Sequence, residues 1–198
     1  MESLTSPSLN LLFITILTLF LFISHVHSIS GSSVPQAYTN FVKKSCNTTT
    51  YPPVCLKTLA PHASSIKTNP LSLCKYALKV AIQATRDSST TVSKLAKRKD
   101  IPSTEARAVK ECIGDLKDAV YQLKQTVEAM GHLKDADREF QWANAKTYAS
   151  AAITDAETCV DEFLDRKVDP VVKNKIKGCV SDVEKLISNA LSLINHLY

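Results

Sequence analysis

Cysteines at 46, 55, 74, 112, 159 and 179 come first among the residues whose type and spacing could do chemistry. A zinc site or a redox dithiol needs two of them a few residues apart, and no CxxC pair occurs. His62, His132 and His196 lie in three separate segments without metal-ligand spacing. Asp155, Glu157, Asp161 and Glu162 would supply paired carboxylates for general acid work. They spread around a helix turn after turn, and nothing marks a pocket that would raise one of their pKa values. GxSxG, P-loop, HExxH and GxGxxG patterns are absent. Catalytic residues, metal ligands and cofactors are therefore not expected, and a Cys nucleophile at Cys74 or Cys179 would lack a nameable base.

The stretch that must be positioned is FQWANAKTYASAAITDAETCVDEF, Phe140 to Phe163. At about 100° per residue, Trp142, Ala145, Ala149, Ile153, Ala156, Val160 and Phe163 share one stripe, which calls for a core. The opposite side carries Thr147, Ala151, Thr154 and Thr158, with Asn144 and Asp155 beside them. A solvated helix face is usually rich in Lys and Glu. Small residues there suit close approach, either to a partner protein or to another helix or hairpin of the same chain. Cys159 falls on the flank, where a neighbouring helix would sit.

The elements around this stretch are legible from composition. Leu11 to Ile23 is an apolar run of 13 residues, too short for a bilayer of roughly 30 Å. With Val26 and Ser28 at the small-residue positions it predicts a secretory signal, residues 1–28, cut after Ser28, although no Lys or Arg precedes it. A retained anchor is the alternative. The remaining 29–198 carries 24 Lys and Arg against 18 Asp and Glu, a net of +6. Those cations are scattered through every helix without an aromatic-interleaved cluster, which argues against nucleic acid. All six Cys lie beyond the signal, and an oxidising destination lets them pair. Asn47-Thr48-Thr49 is a glycosylation sequon at Asn47.

Val34 to Lys44 and Pro53 to Ala60 predict two short helices, a hairpin over 34–60 that a Cys46–Cys55 bond would close. On a chain-entropy argument such a bond is worth about 2.7 kcal/mol. Four longer helices follow in 71–198. Leu71 to Lys99 is weakened by the run SSTTVS. Thr104 to Met130 carries Val109, Cys112, Ile113, Leu116, Val120, Leu123, Val127 and Met130 on one face, with Ser103 as N-cap and Gly131 as C-cap residue. The Phe140–Phe163 helix is third. The fourth opens at Asp169 (N-cap) and Pro170 (N1), with Val172, Ile176, Cys179, Val183, Ile187, Ala190, Ile194 and Leu197 on one stripe. The pattern is all-α: an antiparallel four-helix bundle with an N-terminal helical hairpin. A bond between Cys112 and Cys159 would cross the bundle, worth about 4 kcal/mol on the same argument. Cys74 and Cys179 read as buried free thiols, with a third disulfide as the alternative.

The Cys-x8-Cys hairpin, AVKECIGDLKDAVYQL around Cys112, AKTYASAAITDAETCVDEF around Cys159 and the ending SNALSLINHL together resemble the plant invertase and pectin methylesterase inhibitor family. The resemblance covers nearly all of 29–198. It implies a four-helix bundle stapled by two disulfides, Cys46–Cys55 and Cys112–Cys159, and an enzyme inhibitor rather than an enzyme. Invertase inhibitors of the family carry a Pro-Lys-Phe element between the last two helices. Here that loop reads LDRKVDPVVKN, so the pectin methylesterase branch is the closer likeness.

That branch implies a secreted apoplastic or cell-wall protein that binds the esterase one-to-one and blocks its pectin-binding cleft. Thr147, Ala151, Thr154, Asp155, Thr158 and Asp161 are the expected contact residues. Two alternatives remain: an inhibitor of acid invertase, and a wall protein that binds pectin directly through its charge. No membrane partner is expected once the signal is removed.

Overall fold

Two prolines and two disulfides set the frame of the computed structural model, which describes residues 34–98, 102–161, 163 and 168–198. The expected signal segment 1–28, Asp100, Glu162 and residues 164–167 of the last connection lie outside the described residues. Helix α1 (Gln36–Cys46) and α2 (Pro52–Leu59) form the hairpin, joined by the Cys46–Cys55 disulfide. A 3-10 turn (Ala60–His62) and a one-turn helix α3 (Ala63–Ile66) follow, neither of which the sequence pattern announces. The bundle is α4 (Pro70–Ala96), α5 (Ser103–Gly131), α6 (Arg138–Asp161) and α7 (Pro170–Asn195).

Each bundle helix packs on its two neighbours, α4 on α5, α5 on α6, α6 on α7 and α7 on α4, while the diagonal pairs hardly meet. This ring is the up-and-down antiparallel arrangement that short connections between long helices require. The core runs from Leu73, Leu78 and Val92 through Leu116, Leu123 and Met130 to Ile176, Ile187 and Ile194.

Helix ends follow from capping chemistry. Pro170 sits at N1, and the Asp169 carboxylate accepts from Val171 N at 2.7 Å. The same Asn-Pro signal opens α4, where Asn69 accepts from Ser72 N at 2.9 Å. Two expected caps are corrected. Ser103 lies inside α5 and Pro102 holds the N-cap position, without a side-chain cap. Gly131 is the last helical residue, and no described glycine adopts positive φ, so it is no left-handed C-cap. The left-handed stop occurs at Lys67 (φ 57°), whose N–H returns to Ala63 O to end α3.

The Ser/Thr run leaves α4 unbroken. Thr90, Thr91 and Ser93 hydroxyls donate to carbonyls four residues back, so they satisfy themselves within the helix. Buried Leu78, Ala81 and Val92 fix the face. Apolar stripes drift slightly from their expected lines. Val127 is exposed, and Ala119 and Thr126 are buried in its stead. In α7, Val180 enters the core while Cys179 stays half-exposed, so of the two free cysteines only Cys74 is buried.

The hairpin docks on α7 through a buried amide. Asn189 accepts from Tyr51 N at 2.8 Å and donates to Tyr51 O at 3.0 Å, pairing both backbone groups of the turn residue as a neighbouring strand would. Thr50 and Ser192 hydroxyls meet beside it at 2.9 Å. Asn189→Ala strands Tyr51 N, while Tyr51 O keeps its bond from Cys55 N at 3.0 Å, and is expected to lower stability by about 1–2 kcal/mol. Urea unfolding checks this; an unchanged midpoint would mean that the clamp contributes nothing.

Candidate protein-binding face

Helix α6 is built from small residues on two sides. Ala145, Ala149, Ala152 and Ala156 are fully buried with Cys159, so the innermost line of α6 carries only small side chains and α5 can come close. Cys159 stands on this buried line, not at its flank, and its disulfide to Cys112 joins neighbouring helices. Trp142, Ile153 and Val160 are half-buried against the core. At the N-terminal end, Trp142 Nε1 donates to Ile194 O at 2.9 Å, a carbonyl at the end of α7 that also accepts from Leu197 N. Lys146 Nζ stands 3.7 Å from the Trp142 ring centre, Tyr198 meets that ring edge-on, and Arg138 covers Tyr198. Disulfide and tryptophan thus hold α6 at both ends.

The outward line is fixed by that orientation. Thr147, Thr154, Thr158 and Asp161 are exposed; Ala151, Asn144 and Asp155 are half-buried. Thr147, Thr154 and Thr158 are left uncovered by the described residues, because α6 packs on α5 and α7 while the hairpin lies on α4 and α7. Thr147 and Thr158 hydroxyls donate to Ala143 O and Thr154 O, which turns polar hydrogen inward and leaves a low, mixed surface. Phe140, 64% exposed, opens the same line. Sequence reasoning missed it as a contact residue. Its spacing was the available signal: 140, 147, 154 and 161 are seven apart.

Carboxylates flank the line. Burial, then the neighbouring Asp118 of α5, pushes Asp155 above the usual carboxylate range. Burial, then Glu157 and Asp161, does the same to Glu184 of α7, with Lys185 opposing. Asp155 therefore reaches toward α5 more than outward. Elsewhere, burial pushes the Cys74 thiol up to about 12, which leaves it protonated and inert. Asn47 is exposed at the end of α1, and Thr49 of its sequon is buried, donating to Cys46 O. No group of three His, Cys, Asp or Glu among the described residues could hold a metal ion. No described helix is long and apolar enough to cross a membrane.

Fold and disulfides define a stapled helical bundle in which one helix turns a line of small residues to solvent. The chain belongs to the plant invertase/pectin methylesterase inhibitor family, whose model it matches over residues 40–193. It is 37% identical over 189 residues to Pectinesterase inhibitor 11 of Arabidopsis thaliana, covering 90% of this chain and 94% of that protein. Against Pectinesterase inhibitor 4 of Arabidopsis thaliana it is 34% identical over 187 residues, 91% of this chain and 94% of the relative. Its fold resembles the crystal structure of a mutant form of a pectin methylesterase inhibitor from Arabidopsis, with TM-score 0.58, 22% identity, 77% of this chain and 94% of that chain covered.

The titrating groups give a pH prediction. Asp155 and Glu184 have raised folded-state values, so the folded chain binds their protons more readily than the unfolded chain does. Their penalty is present above those values and disappears as pH falls toward about 4. His132, raised by Asp135 and then Glu128, contributes stability below about pH 6.5 that is lost as pH rises through its folded value. All three act in one direction. The protein should melt higher near pH 5 than at about pH 7.5, and Asp155→Asn should raise the neutral-pH melting temperature and flatten the profile. Calorimetry across this range checks the sign.

Proposed function

We propose that this chain is a secreted inhibitor of plant pectin methylesterase that acts in the apoplast. The observation that carries it is the match, over about nine-tenths of both chains, to proteins named pectinesterase inhibitors. Two disulfides favour an oxidising extracellular compartment, as does the apolar 11–23 run that precedes them. The loop LDRKVDPVVKN has no Pro-Lys-Phe element, which favours esterase over invertase as the target.

The outward line of α6 packs against the esterase in a one-to-one complex and closes its pectin-binding cleft. Thr147, Ala151, Thr154 and Thr158 let two backbones approach with little side-chain entropy lost, and Phe140 is the aromatic anchor at one end. Asp161 adds negative charge at the other end of the line, with half-buried Asp155 beside it turned toward α5. Inhibition follows from covering the cleft, so the inhibitor itself needs no reacting group.

The test is a paired assay of the secreted protein against a plant pectin methylesterase and a plant acid invertase at mildly acidic pH. Loss of esterase activity alone is expected; loss of invertase activity alone would overturn the branch assignment. Thr154→Arg should abolish inhibition at unchanged melting temperature, since the side chain is exposed. Phe140→Ala should weaken the complex by about tenfold or more. Full inhibition by both variants would place the interface elsewhere.

A further inference from the structure

We propose that the groove between α4 and α5 binds a linear polyuronate, the de-esterified form of pectin. The cations that look scattered along the chain converge here: Arg86, Ser89 and Thr90 of α4 and Lys117, Val120 and Lys124 of α5 line one open groove. Heptad spacing extends the charge. Lys79 precedes Arg86 by seven residues and Lys110 precedes Lys117 by seven, each step about 10.5 Å along its helix. Arg86, Lys79, Lys110, Lys117 and Lys124 are all exposed. None of them forms an ion pair among the described residues.

Four acids of these helices are accounted for outside the groove, Glu105 by its burial. Asp118 lies close enough to raise the pKa of Asp155 on α6, Asp87 accepts from Gln83, and Glu128 pairs with His132. The result is a cationic stripe along two antiparallel helices, which fits an extended polyanion better than a small anion. Two further features select a sugar acid. Tyr121, 59% exposed, stands one helical turn from both Lys117 and Lys124 and offers a ring face to a pyranose. Ser89 and Val120 set a hydroxyl and a small apolar floor between the cations. Single-stranded nucleic acid would call for a series of stacking rings, and this stripe has one.

The groove and the outward line of α6 lie on different sides of the ring of helices, so pectate and esterase can bind together. Choosing polyuronate as occupant rests on the function proposed above; the cationic groove does not. Retention of the inhibitor on the product of its target would concentrate it where de-esterification is under way.

The test uses the full secreted protein on columns of polygalacturonate, fully methyl-esterified pectin, heparin and single-stranded RNA, eluted with salt. Retention on polygalacturonate alone is expected. Lys117→Glu with Lys124→Glu should weaken binding by about tenfold or more and flatten its salt dependence. Lys175→Glu with Lys177→Glu, the same charge change at exposed positions of α7, should leave it nearly unchanged. Tyr121→Ala should weaken binding while keeping the salt slope. Equal loss from both charge-reversed pairs would reduce retention to net charge and overturn the site; equal retention on heparin or RNA would overturn polyuronate as its ligand. Esterase inhibition by the Lys117/Lys124 variant, unchanged in solution, separates the two surfaces. A wild-type protein that held polygalacturonate through the groove yet inhibited no esterase would support this site while removing the function proposed above.

Discussion

The seam between α5 and α6 is the contact on which the rest of the molecule depends. Four fully buried alanines bring α6 close to its neighbours, and the Cys112–Cys159 disulfide locks that approach near one end. Alanine buries little area per residue, so such a face gains little from transfer out of water and much from dense packing against the facing helix. The disulfide restricts the unfolded chain over a loop of nearly fifty residues, which offsets the modest apolar area. Trp142 supplies the opposite anchor by reaching the end of α7. Held at both ends, α6 has one rotational setting, and that setting sends Thr147, Thr154 and Asp161 to solvent.

The hairpin depends on a different device. Helices of 11 and 8 residues cannot stabilise themselves in water. Cys46–Cys55 limits their freedom, while Val42, Leu59 and Ile66 add their faces to the bundle core. Between them the exposed turn would leave Tyr51 N without a partner; Asn189 supplies one and adds a second bond to Tyr51 O beside that from Cys55 N. A buried asparagine inside an otherwise apolar stripe of α7 is tolerable because both ends of its amide are hydrogen-bonded there. Register of the hairpin on the bundle follows from this pairing, because sliding by one turn would leave the amide buried without partners.

Charge is sorted by helix face. On α5, lysines recur every seven residues toward α4, and Asp118 faces Asp155 of α6. With Glu184, Glu157 and Asp161 between α6 and α7, carboxylates gather around the helix assigned to the esterase and cations around the opposite groove. A net charge of +5 for the whole chain conceals this division. Burial, with like-charge crowding second, favours protonation on the acidic side, and hydrogen bonds to Asp135 and Glu128 favour it at His132, so mildly acidic conditions are the favourable ones.

Much of this was written in the order of residues. Long 3.6-period stripes fixed four bundle helices, since a continuous apolar face specifies burial without knowledge of its partner. Asp169-Pro170 fixed the start of α7 because N-cap and N1 chemistry is local. Other features needed the assembled fold. Ser103 and Gly131 carried cap signals that the actual helix boundaries passed over by one residue. Cys159 and Cys179 changed places in burial, because a wheel drawn at 100° gives relative phase while the neighbours decide which arc is interior. Asn189 and Tyr51 are 138 residues apart, and no local signal couples them. Exposure of the Thr line, the place of Phe140 beside it and the convergence of Arg86 with Lys117 and Lys124 were likewise settled by which helices pack together, since only tertiary structure brings side chains from separate helices onto one surface.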